Sequence, residues 1–293
     1  MKILHLGKLC PPNEGGIEVF TYDMLEYLNS KGIKADLLCF GDKTRKLNYK
    51  GFDYFECKMN INLNSAPLSY DFIKTFKEIE KEYDIIHIHS PNPLAEILSL
   101  FTDKKVIIHW HSDIVKQKIS YKFYKPIQQK VLKKAHKIIC TSPQYLETSK
   151  QLKNFKEKVA IIPLALNLDR LKASNEKVTN SLKAKIGNKK IVLSIGRLVF
   201  HKGFEYLIEA GQYIKDDVAI VIVGGGPLHK KLKNIVNTLN LEDKVHLIGK
   251  VEVENVYYFF KNADIFCLPS ILESFGLVLV EALYFGKPLI TTN

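Results

Sequence analysis

Arginine is nearly missing from this chain. Of the 43 basic residues among 293, 40 are lysine and three are arginine: Arg45, Arg170 and Arg197. Each guanidinium is therefore informative, because its planar fork grips phosphate or carboxylate oxygens in a way a lysine ammonium cannot reproduce. Long apolar runs are missing as well. None reaches the roughly 18–20 residues that a membrane-spanning helix needs. The first residues, "MKILHLGKLCPPNEGG", lack a signal-peptide core and read as a strand. Cysteine is sparse, with five residues and no CxxC pair, which argues against a disulfide framework or a structural zinc site. Cys10, Cys39, Cys140 and Cys267 fall in or beside apolar strand-like runs, where buried reduced thiols are expected. A cytosolic compartment follows from that expectation. No zinc-finger or RNA-binding signature occurs, so nucleic acid is not an expected partner.

What is present is a globular composition, 46% apolar and 25% charged, with a net charge of +12. The charge is unevenly placed: residues 104–158 hold 14 lysines against three acids, Asp113, Glu147 and Glu157. Such a patch suits an anionic membrane or an acidic substrate. A general lysine bias of the chain is the plain alternative, though it does not explain the clustering.

Short apolar runs alternate with amphipathic helical stretches from end to end. Strands are predicted at 2–7, 34–40, 84–90, 105–111, 137–142 and 159–165, then at 190–197, 218–225, 245–251, 264–270 and 288–293. Continuous apolar strands separated by helices imply parallel sheets covered on both faces. The polar, strand-free stretch between the two series predicts a domain at 1–170, a linker at 171–189 and a second domain at 190–293. The chain stops on "PLITTN" with no helix after it, so the second domain reads as incomplete or truncated.

Ligands of such sheets bind beyond the carboxyl ends of the strands. Four loops there stand out. "LCPPNEGGIEVF" opens a helix with Gly15 and Gly16, either an anion-receptive amide pair or a plain tight turn. It is not a dinucleotide fingerprint, because no GxGxxG follows the first strand. "GRLVFHKGF" carries Arg197 and Lys202, read as a phosphate grip in preference to two surface charges. "GGGPLHKKL" places Gly224, Gly225 and Gly226 where a ligand can lie against backbone. "ILESFGLVLVEALYFG" sets Glu273 before a helix and Glu281 within it. Glu273 alone reads as a helix cap or a hydroxyl acceptor, whereas Glu281 amid Val278, Leu279, Val280, Ala282 and Leu283 needs a partner.

"ESFGLVLVE" resembles the Glu-x7-Glu motif of retaining GT-B glycosyltransferases, particularly family 4, which uses nucleotide-sugar donors. "GGIEVF", "HIHSPNP", "IIHWHSD", "SIGRLVFHKG" and "VGGGP" match further family motifs in the same order, so the resemblance covers the whole chain. It implies a GT-B fold: two doubly wound, Rossmann-like α/β domains facing a cleft, with an N-terminal acceptor side. It also implies roles. Arg197 and Lys202 would hold the donor diphosphate with N–H help from Gly15 and Gly16, and Gly225 would lie on the nucleotide side. Glu273 would bind the transferred sugar near the backbone of Phe275, Gly276 and Leu277. Glu281 would bind the ribose, with the base near Val251. His111 matches a histidine suited to touching sugar or acceptor and, with Glu273, makes the implied catalytic pair.

No cofactor is implied beyond the donor substrate. His87, His89, His109 and His111 invite a metal reading, because period-two spacing puts each pair on one strand face. Core and cleft histidines are the favoured reading and no metal is expected, since no carboxylate or cysteine completes a set.

The implied activity is transfer of a hexose-type sugar, with retention, to a saccharide or lipid-linked acceptor in the biosynthesis of surface polysaccharide or lipopolysaccharide. A non-catalytic or truncated GT-B subunit that binds nucleotide or membrane is the alternative from another class. A nucleotide-sugar epimerase is a third reading, disfavoured by Glu-x7-Glu. Within residues 113–137, eight lysines interleave with Ile119, Tyr121, Phe123, Tyr124, Ile127, Val131 and Leu132. That mixture fits peripheral contact with anionic lipid at the inner face of the membrane, or a solvated helix packed on the first sheet. Pro126 predicts two short helices there rather than one.

Overall fold

The computed structural model describes residues 1–11, 15–63, 66–115, 117–168, 171, 186–251 and 253–292. These fall into two compact units, Met1–Leu164 and Ala165–Asn293. Most of the stretch expected as a linker, like Arg170 and Lys116, lies outside the described residues.

Unit one is built on an eight-stranded sheet in the order β10-β9-β8-β7-β1-β2-β4-β3. Its members are β1 (Lys2–Leu9), β2 (Lys34–Gly41), β3 (Arg45–Tyr49), β4 (Phe52–Lys58), β7 (Ile85–Ser90), β8 (Lys105–Trp110), β9 (Lys137–Cys140) and β10 (Val159–Ile161). All pairings are parallel except β3 on β4. A small hairpin of β5 (Ile61–Leu63) and β6 (Ala66–Leu68) stands apart. Strands buried on both faces are mostly apolar, and residues 35–40 of β2 are buried without a break, with Asp36 the one charged residue among them. The helices are α1 (Gly16–Ser30), α2 (Tyr70–Ile79), α3 (Pro93–Ser99), α4 (Lys118–Lys134) and α5 (Pro143–Thr148). One apolar cluster packs Phe72, Phe76, Trp110 and Leu132 on one face of the sheet. Another packs Tyr22, Leu25 and Phe52 on the other.

Unit two is a five-stranded, all-parallel sheet in the order β13-β12-β11-β14-β15. Its strands are β11 (Lys190–Ile195), β12 (Val218–Val223), β13 (Val245–Gly249), β14 (Ile265–Leu268) and β15 (Leu289–Thr291). Among the described residues it carries helices α6 (Phe204–Ala210), α7 (His229–Thr238), α8 (Val253–Asn262) and α9 (Leu277–Tyr284) packed with its sheet. The strand order reverses between β11 and β14, which makes the space beyond their carboxyl ends the switch point where ligands bind. In unit one the reversal falls between β1 and β7.

Three sequence expectations are corrected. The β3–β4 and β5–β6 hairpins were not predicted: β3, β5 and β6 are short and partly exposed, and the seven residues of β4 are interrupted by Asp53 and Glu56, so none shows the continuous apolar run that marks a buried strand. Pro126 does not split its helix. Residues 118–134 form one α4 because Val131 and Leu132 are buried and Tyr124 donates to Glu96, contacts that offset the lost backbone hydrogen bond. Cys10 and Cys39 are joined as a disulfide instead of standing as free thiols. The parallel β1–β2 pairing carries their Cα atoms to 5.3 Å, within the span a disulfide bridges. Cys57, Cys140 and Cys267 are free and buried.

Candidate functional site

Four strand-exit loops of unit two are tied to one another at the carboxyl edge of its sheet. The Leu198 N–H donates to Gly225 O at 2.9 Å and the Leu228 N–H to Leu198 O at 3.1 Å, joining the loops after β11 and β12. The Gly224 N–H donates to Gly249 O at 2.8 Å, which adds the turn after β13, where Val251 stands half-buried. The Ile271 N–H donates to His201 O at 2.8 Å, adding the loop after β14. Below them the Ser194 hydroxyl donates to Cys267 O at 2.6 Å, pinning β11 to β14.

Two glycines make this junction sterically attainable. Gly203 is left-handed (φ +65°), and a Cβ there would stand 2.0 Å from Pro269 O. A Cβ on Gly224 (φ +144°) would stand 2.0 Å from Gly196 O. Only glycine allows such approach at such angles. Gly225 has a looser neighbour, since its Cβ would come 3.2 Å from Lys250 Cβ.

The junction brings Lys202 and Glu273 together. Glu273 Oε2 accepts from Lys202 Nζ at 2.5 Å and from the Ser270 hydroxyl at 3.4 Å, while Oε1 accepts from the Ser274 N–H at 3.2 Å. Both side chains are mostly covered, 18% and 27% exposed. Arg197 lies on the same loop as Lys202, exposed, and makes no ion pair among the described residues. Phe275 and Gly276 precede α9. Gly276 is its N-cap, left-handed at φ +73°, and has no side chain to accept from the first turn that Leu277 opens. Glu281 sits half-buried within α9, five residues beyond that cap. Phosphate and sugar hydroxyls are suited to this combination of a guanidinium, an ammonium, a carboxylate and an uncapped helix start. Ser270, which sequence reading passed over, is 5% exposed and shares the Glu273 carboxylate. A polar residue at a strand exit was its only sequence signal.

In unit one, Gly15 is the N-cap of α1 and Gly16 its first residue. A Cβ on Gly15 would meet the Glu18 carboxylate, whereas Gly16 has open space. His111 follows β8 and is 5% exposed, with its N–H donating to Ser90 O at 3.0 Å. It belongs to a larger group. In the strand register His5 lies beside His87 and His89 beside His109, so His5, His87, His89, His109 and His111 share one sheet face. Their rings are stacked beneath Phe20 of α1, with neighbouring centroids 4.5–5.7 Å apart. His5 was missed at the sequence level, because it joins the others only through the pairing of β1 with β7. Burial pushes His87 down to about 4, and burial followed by the charge of His87 pushes His111 down to about 3. His5, His89 and His109 lie well below the usual range for the same leading reason, so all five rings are neutral at pH 7.

Residues 14–170 match the family described as Glycosyltransferase Family 4, and residues 178–293 match Glycosyl transferases group 1. The O-antigen chain mannosyltransferase C of Escherichia coli is 32% identical over 298 residues, covering 99% of this chain and 79% of the relative. The D-rhamnosyltransferase WbpZ of Pseudomonas aeruginosa is 28% identical over 300 residues, covering 100% and 78%. Among solved structures, Anabaena Alr3699/HepE in complex with UDP and glucose superposes with a TM-score of 0.78 at 20% identity, over 99% of this chain and 80% of that one. With its two parallel α/β units of GT-B type, the chain belongs to the family 4 glycosyltransferases.

Proposed function

We propose that the chain transfers a hexose-type sugar, with retention of configuration, from a nucleoside-diphosphate sugar to a saccharide or lipid-linked acceptor in surface-glycan synthesis of the O-antigen kind. The observation that carries this reading is the meeting of Lys202 and Glu273 at the switch point of unit two, on the loop that also bears Arg197. Arg197 and Lys202 neutralise the leaving diphosphate, a task for fixed positive groups in a partly dry site. Glu273 accepts from hydroxyls of the transferred sugar beside Phe275, Gly276 and Leu277, and Glu281 accepts from the ribose. Val251 and Gly225 flank the base. Retention follows if the acceptor attacks on the face the diphosphate leaves, with a departing phosphate oxygen taking the acceptor proton. In unit one, Gly15 and Gly16 offer an anion-receptive amide pair, and His111 is assigned to the sugar or acceptor. The UDP and glucose of the superposed Anabaena structure, and the mannosyl- and rhamnosyltransferase relatives, support a nucleotide-sugar donor.

The exposed side of α4 supports contact with anionic lipid. Ile119 and Phe123 are 81% and 78% exposed beside the exposed Lys122, Lys125, Lys130 and Lys133. No helix among the described residues is long and apolar enough to cross a membrane.

A panel of nucleotide-sugars, assayed for hydrolysis and for transfer to saccharide and lipid-linked acceptors, tests the proposal. Transfer with the donor's anomeric configuration in the product is expected. A folded chain that turns over no donor, or an inverted product, overturns it.

A further inference from the structure

The histidine face of unit one, which carries His111 at one end, holds a second candidate site at the other. Among the described residues, four buried ring nitrogens there have no hydrogen-bond partner: His5 Nε2, His87 Nε2 and both nitrogens of His109. Unmet polar atoms in a packed interior carry the full penalty of leaving water, so a recurring group of them asks for a ligand. His5, His87 and His89 are 0%, 6% and 1% exposed and each offers a nitrogen within 4.8 Å of the others.

The hydrogen-bond pattern assigns the protons. The Thr21 hydroxyl donates to Ile17 O at 2.7 Å, so its oxygen accepts from His89 Nδ1 at 3.2 Å. His89 therefore carries its proton on Nδ1 and a bare lone pair on Nε2. That lone pair accepts from His5 Nδ1 at 3.1 Å, a bond that an incoming ion has to displace, and this leaves His5 Nε2 bare as well. A metal-bound imidazole almost always donates its far N–H to an oxygen acceptor, and the Thr21 hydroxyl supplies one here. The other triad, His89, His109 and His111, is less suited. On that side His89 presents the protonated Nδ1, 3.0 Å from His111 Nε2, and a protonated nitrogen is not a ligand.

We propose that His5, His87 and His89 bind one divalent ion of the zinc class, tying β1 to β7 beneath α1. With His5 added through the β1–β7 pairing, three neutral imidazoles make a known ligand set for zinc and its neighbours without the carboxylate or cysteine the sequence reading looked for, and they leave a fourth position open. The rings stand 15–29° from parallel, so binding turns them until their nitrogens converge. Bonds near 2.0–2.1 Å at tetrahedral angles bring the nitrogens to about 3.3 Å from one another.

The test uses the full chain, stripped with chelator, incubated with zinc chloride and passed through gel filtration. One zinc ion retained per chain and a higher Tm than the stripped protein are expected. Cobalt in its place should show visible d–d bands of a low-coordinate site. His5→Phe and His87→Phe, which keep a stacking ring, should lose the bound metal, whereas His109→Phe should keep it. Wild-type chain that retains no zinc, His87→Phe that retains as much as wild type, or loss confined to His109→Phe each overturns the proposal. Should the phenylalanine variants fail to fold, the wild-type chain with 15N-labelled histidine decides. Zinc has to shift the ring nitrogens of three buried histidines, and an unchanged spectrum overturns the site.

Discussion

Lys202 and Glu273, 71 residues apart in sequence, form an ion pair at 2.5 Å at the carboxyl edge of the second sheet. Each is the other's counter-charge across the β11–β14 switch point. In the proposed site a phosphate arriving beside Lys202 would compete with Glu273 for the ammonium, which would couple the two residues in donor binding.

Arg197→Ala and Lys202→Ala are both expected to weaken nucleoside-diphosphate binding. A hydrogen bond to a charged group contributes about 1.5–3 kcal/mol, so each loss is roughly tenfold or more. Lys202→Ala should be the more damaging, because it leaves the Glu273 carboxylate unopposed near the phosphate. Adding Glu273→Gln to Lys202→Ala should recover part of that affinity. Calorimetry showing strictly additive losses would remove the coupling, and unchanged affinity in both single variants would remove the residues from the site.

The two glutamates are expected to separate by kinetics. Glu273→Gln should lower turnover of the nucleotide-sugar while leaving binding of free nucleoside diphosphate within a few-fold, because the role proposed for Glu273 is with the transferred sugar. Glu281→Gln should weaken both, since the ribose is common to donor and free nucleotide. Identical effects on kcat and Kd would contradict this division.

Gly203 and Gly286 offer a controlled pair. Both are left-handed, at φ +65° and +67°, but a Cβ on Gly203 strikes Pro269 O while one on Gly286 meets nothing within 4 Å. Gly286→Ala should cost only the conformational term, about 1–2 kcal/mol. Gly203→Ala should cost more and also lower activity, by pushing the loop that carries Glu273. Urea unfolding checks the first half of this expectation, and turnover of the folded fraction the second.

Acid should destabilise the chelator-treated protein through its neutral histidines. Histidine in an unfolded chain titrates near 6.5, whereas His87 and His111 in the fold titrate near 4 and near 3. Between those values the unfolded chain binds protons that the folded chain refuses. Stability is therefore full above pH 6.5 and falls as pH drops towards the folded values, by up to about 1.4 kcal/mol per pH unit for each such residue. Urea midpoints should fall between pH 7 and pH 5, with a shallower slope in His87→Gln. A pH-independent midpoint over that range would mean the rings are not buried and neutral.

Lipid contact through α4 is checked by cosedimentation with liposomes. Binding to anionic vesicles should weaken with salt, because each lysine near such a surface contributes about 1 kcal/mol that ions screen. Changing Lys122, Lys125, Lys130 and Lys133 to glutamate should abolish it. Sedimentation indifferent to salt and lipid charge would leave α4 a solvated helix.

The sequence by itself determined the strand-and-helix alternation and which residues stand in the loops at the carboxyl ends of the strands. Strands buried on both faces are mostly apolar along their length, so "VAIVIV" and "KIVLSI" announce themselves, and the glycines, Arg197, Lys202 and the paired glutamates follow such runs directly. The β3–β4 and β5–β6 hairpins were not legible, because β3, β5 and β6 are short and partly exposed and the apolar pattern of β4 is broken by Asp53 and Glu56. Continuity of α4 through Pro126 was decided by Val131, Leu132 and Tyr124 anchoring it to the core, which no local propensity registers. The Cys10–Cys39 bond, the fifth histidine and the Lys202–Glu273 pair share one physical cause. Strand register and loop packing bring together residues 29, 82 and 71 positions apart, and proximity across such separations is a property of the folded chain alone.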